Sequence, residues 1–165
     1  MKPERIRRKY HHLPRGAYIG EVLLSITARI ENGRPIFQNP AIVATFTTML
    51  EESARNNACL VPVYCFMPDH LHVLIKGMTP PADSWKVVLQ FKQRTGYWFR
   101  KHSHVDWQTD FFDRVIRHDV SLRKQVHYII NNPVRRGLVN NCEDYPHTGS
   151  IGFDLKELLA DLQTG

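Results

Sequence analysis

Four side chains of this sequence have the types and spacings to do chemistry together: His70, His72, Tyr128 and Asn132. His70-Leu71-His72 lies inside residues 64–75, a run that reads as strand. Residues i and i+2 of a strand point to the same face, so two imidazoles aim at one spot while Leu71 points the other way, into a core. Two neutral nitrogens on rigid backbone are two thirds of a divalent-metal site that keeps positions open for substrate. By spacing alone, the same pair is equally a solvated surface pair. Tyr128 and Asn132 are i and i+4 of a helix and share a face. A phenol is a competent nucleophile where a metal polarises the electrophile and its proton finds an acceptor. The Asn132 amide oxygen is a candidate third ligand. Two imidazoles and a neutral oxygen suit Mg2+ or Mn2+ beside a phosphate better than a closed zinc site, which wants four protein ligands. Each helical residue also has an ordinary structural explanation: a half-buried tyrosine, and a residue closing a helix before Pro133.

These side chains need a frame. Residues 16–30 alternate, are rich in β-formers and read as a central strand; Asn32-Gly33-Arg34-Pro35 reads as a turn. A helix starts at Asn39-Pro40, with Ile42, Val43, Phe46, Met49 and Leu50 at helical spacing, and ends near Asn56-Asn57. Residues 58–66 and 71–76 read as two strands joined tightly through Met67-Pro68-Asp69, a hairpin with the histidines at its start or on its second arm. Asp83 or Ser84 caps a helix running to about Lys101. Residues 105–115 read as a strand or extended segment. Asp119 or Ser121 starts a helix that stops at Asn131-Asn132-Pro133, and residues 154–162 form a short C-terminal helix. Strand, helix, hairpin, helix, strand, helix predicts an α+β fold, an antiparallel sheet with helices packed on it, of the ferredoxin-like kind.

Composition bounds what the frame serves. The 165 residues suit a single domain, with a basic N-terminal arm over residues 1–15 and the C-terminal helix within 153–165. The net charge of +6, with nine further histidines, favours an acidic partner, of which nucleic acid is the commonest. No apolar stretch approaches the roughly 18 residues of a membrane span, and the basic N-terminus has no apolar segment behind it, so neither membrane nor secretion is expected. Cys59, Cys65 and Cys142 are odd in number and scattered; a disulfide framework is not expected and a reducing cytoplasm is the default. By charge alone, the candidate nucleic-acid contacts are Arg7, Arg8 and Lys9 in the arm, Lys92 and Arg94 on the second helix, and Arg135 and Arg136 after the tyrosine, each as a phosphate contact. Trp85, Trp98 and Trp107 are candidates for stacking on unpaired bases, though Trp85 and Trp98 fit core positions as well.

Residues 66–75, Phe-Met-Pro-Asp-His-Leu-His-Val-Leu-Ile, resemble the HUH motif (histidine, hydrophobic residue, histidine) of single-tyrosine transposases. Residues 111–118 and 128–139, with Tyr18-Ile19 and Phe37, are similar to the branch called REP-associated tyrosine transposases, and the resemblance runs over roughly residues 10 to 150. It implies the HUH nuclease fold and an enzyme that acts on single-stranded DNA carrying a hairpin. In that family a divalent metal, Mg2+ or Mn2+, polarises the scissile phosphate, and a tyrosine attacks it to form a 5′-phosphotyrosine and free a 3′-hydroxyl. Strand transfer is the reverse with a second 3′-hydroxyl. By position, Tyr128 is the nucleophile, His70 and His72 are metal ligands, and Asn132 stands where relatives place an amide ligand, with Gln125 as fallback. A monomer is favoured over a dimer. Two other readings stay open: a non-catalytic protein of the same fold that binds single-stranded or hairpin DNA, and a zinc hydrolase using Cys65, His70 and His72.

Overall fold

The structure, a computed structural model, describes residues 12–117 and 119–163. Strand β1 (Leu23–Arg29), helix α1 (Pro40–Asn56), strands β2 (Cys59–Met67) and β3 (His70–Gly77), helix α2 (Ser84–His102) and strand β4 (Phe112–Ile116) follow one another along the chain. The sheet order is β4-β1-β3-β2, fully antiparallel, with β5 (Thr148–Ile151) added outside β2. This is the split βαβ arrangement expected of the ferredoxin-like class. Helices α3 (Asp119–Ile130), α4 (Asn132–Arg135) and α5 (Leu155–Gln163) complete the described chain.

Local chemistry sets the helices. The Asn39 side chain accepts from the Ala41 amide at 3.0 Å, and Pro40, which has no amide hydrogen to lose, opens α1. Val43, Phe46, Leu50 and Ala54 make its buried stripe. Asp83 caps α2 by accepting from the Lys86 amide at 3.1 Å. Both helices cover one face of the sheet. There Phe46, fully buried, has the rings of Phe37, Phe91, Trp98, Phe99 and Trp107 within 5.1–6.3 Å. Alternation along β3 sends Leu71, Val73 and Ile75 into that core. Leu74, with Val63, Cys65 and Met67 of β2, points to the other face, where Val126, Ile129 and Ile130 of α3 cover it.

Three expectations are corrected. The first strand is shorter than residues 16–30, because Arg15–Tyr18 form a 3-10 turn. The segment before β4 is irregular: the Asp106 and Asp110 carboxylates accept from the amides of Trp107 and Phe111 at 2.7 and 2.9 Å, bonds that take the place of a ladder. The helical path does not stop before Pro133. The amides of Asn131, Arg135 and Arg136 donate four residues back, to His127, Asn131 and Asn132, at 2.9–3.1 Å. Pro133 sits in the first turn of α4, where its missing amide hydrogen costs least. Among the described residues, no helix is long and apolar enough to cross a membrane.

Candidate active site

Register places the two histidines. His70 lies opposite Arg29 of β1 and Met67 of β2; His72 lies opposite Thr27 and Cys65. Directly opposed residues of an antiparallel pair share a face. Phe112, Thr27, His72, Cys65 and Thr148 therefore form one rung across all five strands on the α3 side.

Both imidazoles are buried, 2% and 6% exposed, and their Nε2 atoms are 3.1 Å apart. Each ring is held from behind. His70 Nδ1 bonds Asp69 Oδ1 at 2.6 Å, which fixes the proton on Nδ1 and leaves the Nε2 lone pair facing its partner. His72 Nδ1 bonds Thr27 Oγ1 at 3.0 Å. Burial, then the neighbouring His70, Arg29, Arg135 and Arg136, pushes the His72 imidazolium down to about 3. Burial also lowers His70, against the partial opposition of Asp69. Both rings are accordingly neutral at pH 7, the state in which imidazole binds metal. The 3.1 Å separation matches two nitrogens at right angles about one cation, each at about 2.1 Å. The donor set fits a divalent ion.

Tyr128 faces the pair from α3, its ring centroid 5.7 Å from that of His72 and nearly perpendicular to it. The ring is 48% exposed and borders a cleft of about 370 Å3 that also has Thr27, Arg29, His72 and Gln125 in its walls. The Arg135 guanidinium lies 4.1 Å from the Tyr128 ring centroid. Asn132 is buried, and its amide nitrogen has no hydrogen-bond partner among the described residues. A buried amide in that condition is a group still owed a polar neighbour. Gln125 is brought into the cleft and its amide oxygen accepts from Ser25 Oγ at 3.4 Å, because i−3 on a helix also shares the face of Tyr128.

The charged candidates separate. Arg135 and Arg136 flank the histidines closely enough to lower His72. Lys92 and Arg94 belong to α2, on the opposite layer. Lys92 donates to the Gln108 carbonyl at 3.1 Å and lies over the Phe111 ring, and burial lowers its pKa. Arg94 pairs with Glu52. Arg7, Arg8 and Lys9 lie outside the described residues. Trp107 is a core residue whose indole N–H donates to Thr95 at 2.7 Å, and Trp85 and Trp98 pack partly buried against that core. For the zinc reading, Cys65 does sit opposite His72, but burial pushes its thiol up to about 11 and no third His, Cys, Asp or Glu completes a cluster among the described residues. Sequence reasoning missed Thr27 and Asp69. Thr27 becomes visible only with the register; Asp69 could have been found from its place beside His70 in a two-residue turn.

Residues 21–132 match the model of a family described as IS200-like transposases. The chain is 28% identical over 109 residues to a Haemophilus influenzae protein designated a REP-associated tyrosine transposase, and the match spans 56% of this chain and 58% of that protein, little more than half its length. A solved REP-associated tyrosine transposase bound to a REP hairpin shares the fold with a TM-score of 0.70 at 20% identity, over 85% of this chain and 81% of the other. A Deinococcus radiodurans protein designated a transposase superposes with a TM-score of 0.50 at 16% identity, over 71% and 95% of the two chains. These matches bear out the resemblance read from residues 66–75 and 128–139, and the α+β fold with it.

Proposed function

We propose, for a chain that belongs to the IS200-like transposase family, that it cuts and rejoins single-stranded DNA beside a hairpin through a covalent bond to Tyr128. The observation that carries this reading is the pair of Nε2 atoms 3.1 Å apart, each ring tied at Nδ1, with the Tyr128 ring beside them. In the forward step the Tyr128 oxygen attacks the scissile phosphorus. The phosphorus–O3′ bond breaks, leaving a 5′-phosphotyrosine and a 3′-hydroxyl; the phenolic proton is lost to solvent and the leaving oxygen takes one up. Attack by another 3′-hydroxyl reverses the step and joins strands.

His70 and His72 would hold Mg2+ or Mn2+, with Asn132 as third ligand. When bound, the ion supplies Lewis-acid stabilisation of the charge that grows on the phosphate. Asp69 and Thr27 keep the two rings turned with Nε2 outward. Arg29 and Arg136 add fixed positive charge, which phosphoryl transfer uses without needing a strong base. The partner is a hairpin-bearing single strand, and the chain acts as a monomer in the cytoplasm.

The test is a denaturing gel for a protein–DNA adduct on hairpin single strands, with and without Mn2+. Wild type is expected to form the adduct, and Tyr128→Phe to lower its rate by at least about a thousandfold while leaving thermal stability unchanged, since the hydroxyl is the group removed and the ring is half exposed. Equal adduct from the variant overturns the mechanism. Tight binding with no adduct from wild type would instead make the chain a binding protein of this fold.

A further inference from the structure

Arg135 carries a contact that charge counting does not reveal. Tyr128, Asn132 and Arg135 are i, i+4 and i+7, one stripe of a helix that continues through Pro133. That continuation brings Arg135 back over the tyrosine and lets it touch Tyr128 twice. Its guanidinium sits 4.1 Å from the ring centroid, inside cation–π range, and its Nη2 donates to the Tyr128 carbonyl oxygen at 2.9 Å. The same carbonyl belongs to the last turn of α3, where acceptors run short of helical partners. One planar cation thus grips both the ring and the backbone of a single residue.

A half-exposed tyrosine at the edge of a cleft otherwise exchanges among staggered χ1 wells. The His72 ring, tied to the sheet by Thr27, meets the Tyr128 ring nearly at right angles with 5.7 Å between centroids. Arg135 is anchored on the same helical stripe as the tyrosine and contacts both its ring and its carbonyl. We infer that Arg135 is the positioning residue of Tyr128, holding its ring across the mouth of the cleft, rather than a grip on the DNA backbone. This rests on Tyr128 being the nucleophile.

A phosphate contact and a positioning contact separate cleanly in measurement. Arg135→Met keeps length and loses charge and fork; Arg135→Lys keeps charge and a donor but not the planar stack. For positioning, Arg135→Met lowers the adduct-forming rate at saturating DNA by about ten- to a hundredfold, the order expected when a reacting atom is misplaced by an ångström, with the DNA dissociation constant within about threefold of wild type. Arg135→Lys binds DNA like wild type and does not restore the rate. A readout without DNA or metal accompanies this: the Arg135 side-chain protons show an upfield ring-current shift by NMR that disappears in Tyr128→Leu.

The inference is overturned if Arg135→Met binds DNA weakly, loses about one unit of salt dependence and reacts at the wild-type rate when saturated, which is the behaviour of a phosphate contact. It is equally overturned if lysine rescues the rate in full or if the ring-current shift is absent. A wild type that forms no adduct on any metal overturns the nucleophile reading and this one with it. A reactive wild type beside an equally reactive Arg135→Met overturns only this one.

Discussion

Side chains that leave β3 toward α1 and α2 meet a different solvent from those that leave it toward α3. On the first side Leu71, Val73 and Ile75 join a continuous core with five aromatic rings around Phe46. On the second, His70 and His72 stand among Thr27, Arg29 and a cleft. The strand is the same and the backbone bonds are the same; only the parity of the residue differs. The core face fixes where each Cα sits, and the other face uses that fixed backbone to hold two nitrogen atoms at a set separation. Preorganisation of the site is, on this view, a by-product of packing on the side that does no chemistry.

That division can be broken from either side. The largest effect is expected from Phe46→Ala, which empties the centre of the core face and should cost about 3–5 kcal/mol in denaturant unfolding. If the faces divide labour as described, the molecules that remain folded keep their Mn2+ affinity. Next is Thr27→Val, which keeps shape and removes the Nδ1 partner of His72. Loss of such a supporting bond typically weakens metal binding by about ten- to a hundredfold, and calorimetric Mn2+ titration measures it. Unchanged affinity would mean that packing alone orients the ring.

A smaller contrast pits Arg136, close to the histidines, against Arg94, bound to Glu52 on the opposite layer. Fluorescence anisotropy on a hairpin single strand should show several-fold weaker binding for Arg136→Ala and less than about twofold for Arg94→Ala, whose exposed ion pair contributes about 0–1 kcal/mol to stability. The reverse order would move the DNA to the α2 layer.

The smallest effect concerns the seam between the faces. His12 lies against Trp85 and Phe111 and bonds both Asp113 and Asp110. Burial lowers its pKa, but the bonds and negative charge of the two carboxylates outweigh that and leave it raised. A raised folded-state value means the stabilisation is complete below the unfolded value of about 6.5 and fades as pH rises through the folded one. Wild type should therefore lose up to a few degrees of melting temperature between pH 6 and 9 that His12→Gln does not lose.

Much of this arrangement was legible from residues alone. The two-residue period of 70–75, the Pro40 and Asp83 helix starts and the βαββαβ order all followed from pattern. What escaped depended on partners distant in sequence. Thr148–Ile151 contains a glycine and too few β-formers to announce a strand; it is one because β2 offers an open edge. Thr27 is an ordinary strand threonine until register sets it opposite His72. Asn132-Pro133 reads as a stop, since proline usually ends a helix, and only the bonds spanning it show that the stripe goes on to Arg135. Gln125 ranked behind Asn132 in the sequence, yet it is Gln125 that borders the cleft beside Tyr128.

The turn between β2 and β3 has a genetic consequence. Only Pro68 and Asp69 separate Met67 from His70, so no slack exists to absorb a gained or lost residue. A one-residue insertion in the hairpin would carry Leu71, Val73 and Ile75 to the α3 side and drive both imidazoles into the aromatic core. Such an allele would lose its fold and its chemistry in a single event. Copies of this gene that persist as folded but silent proteins should therefore differ from it here by substitutions, with the spacing from Met67 to His72 intact.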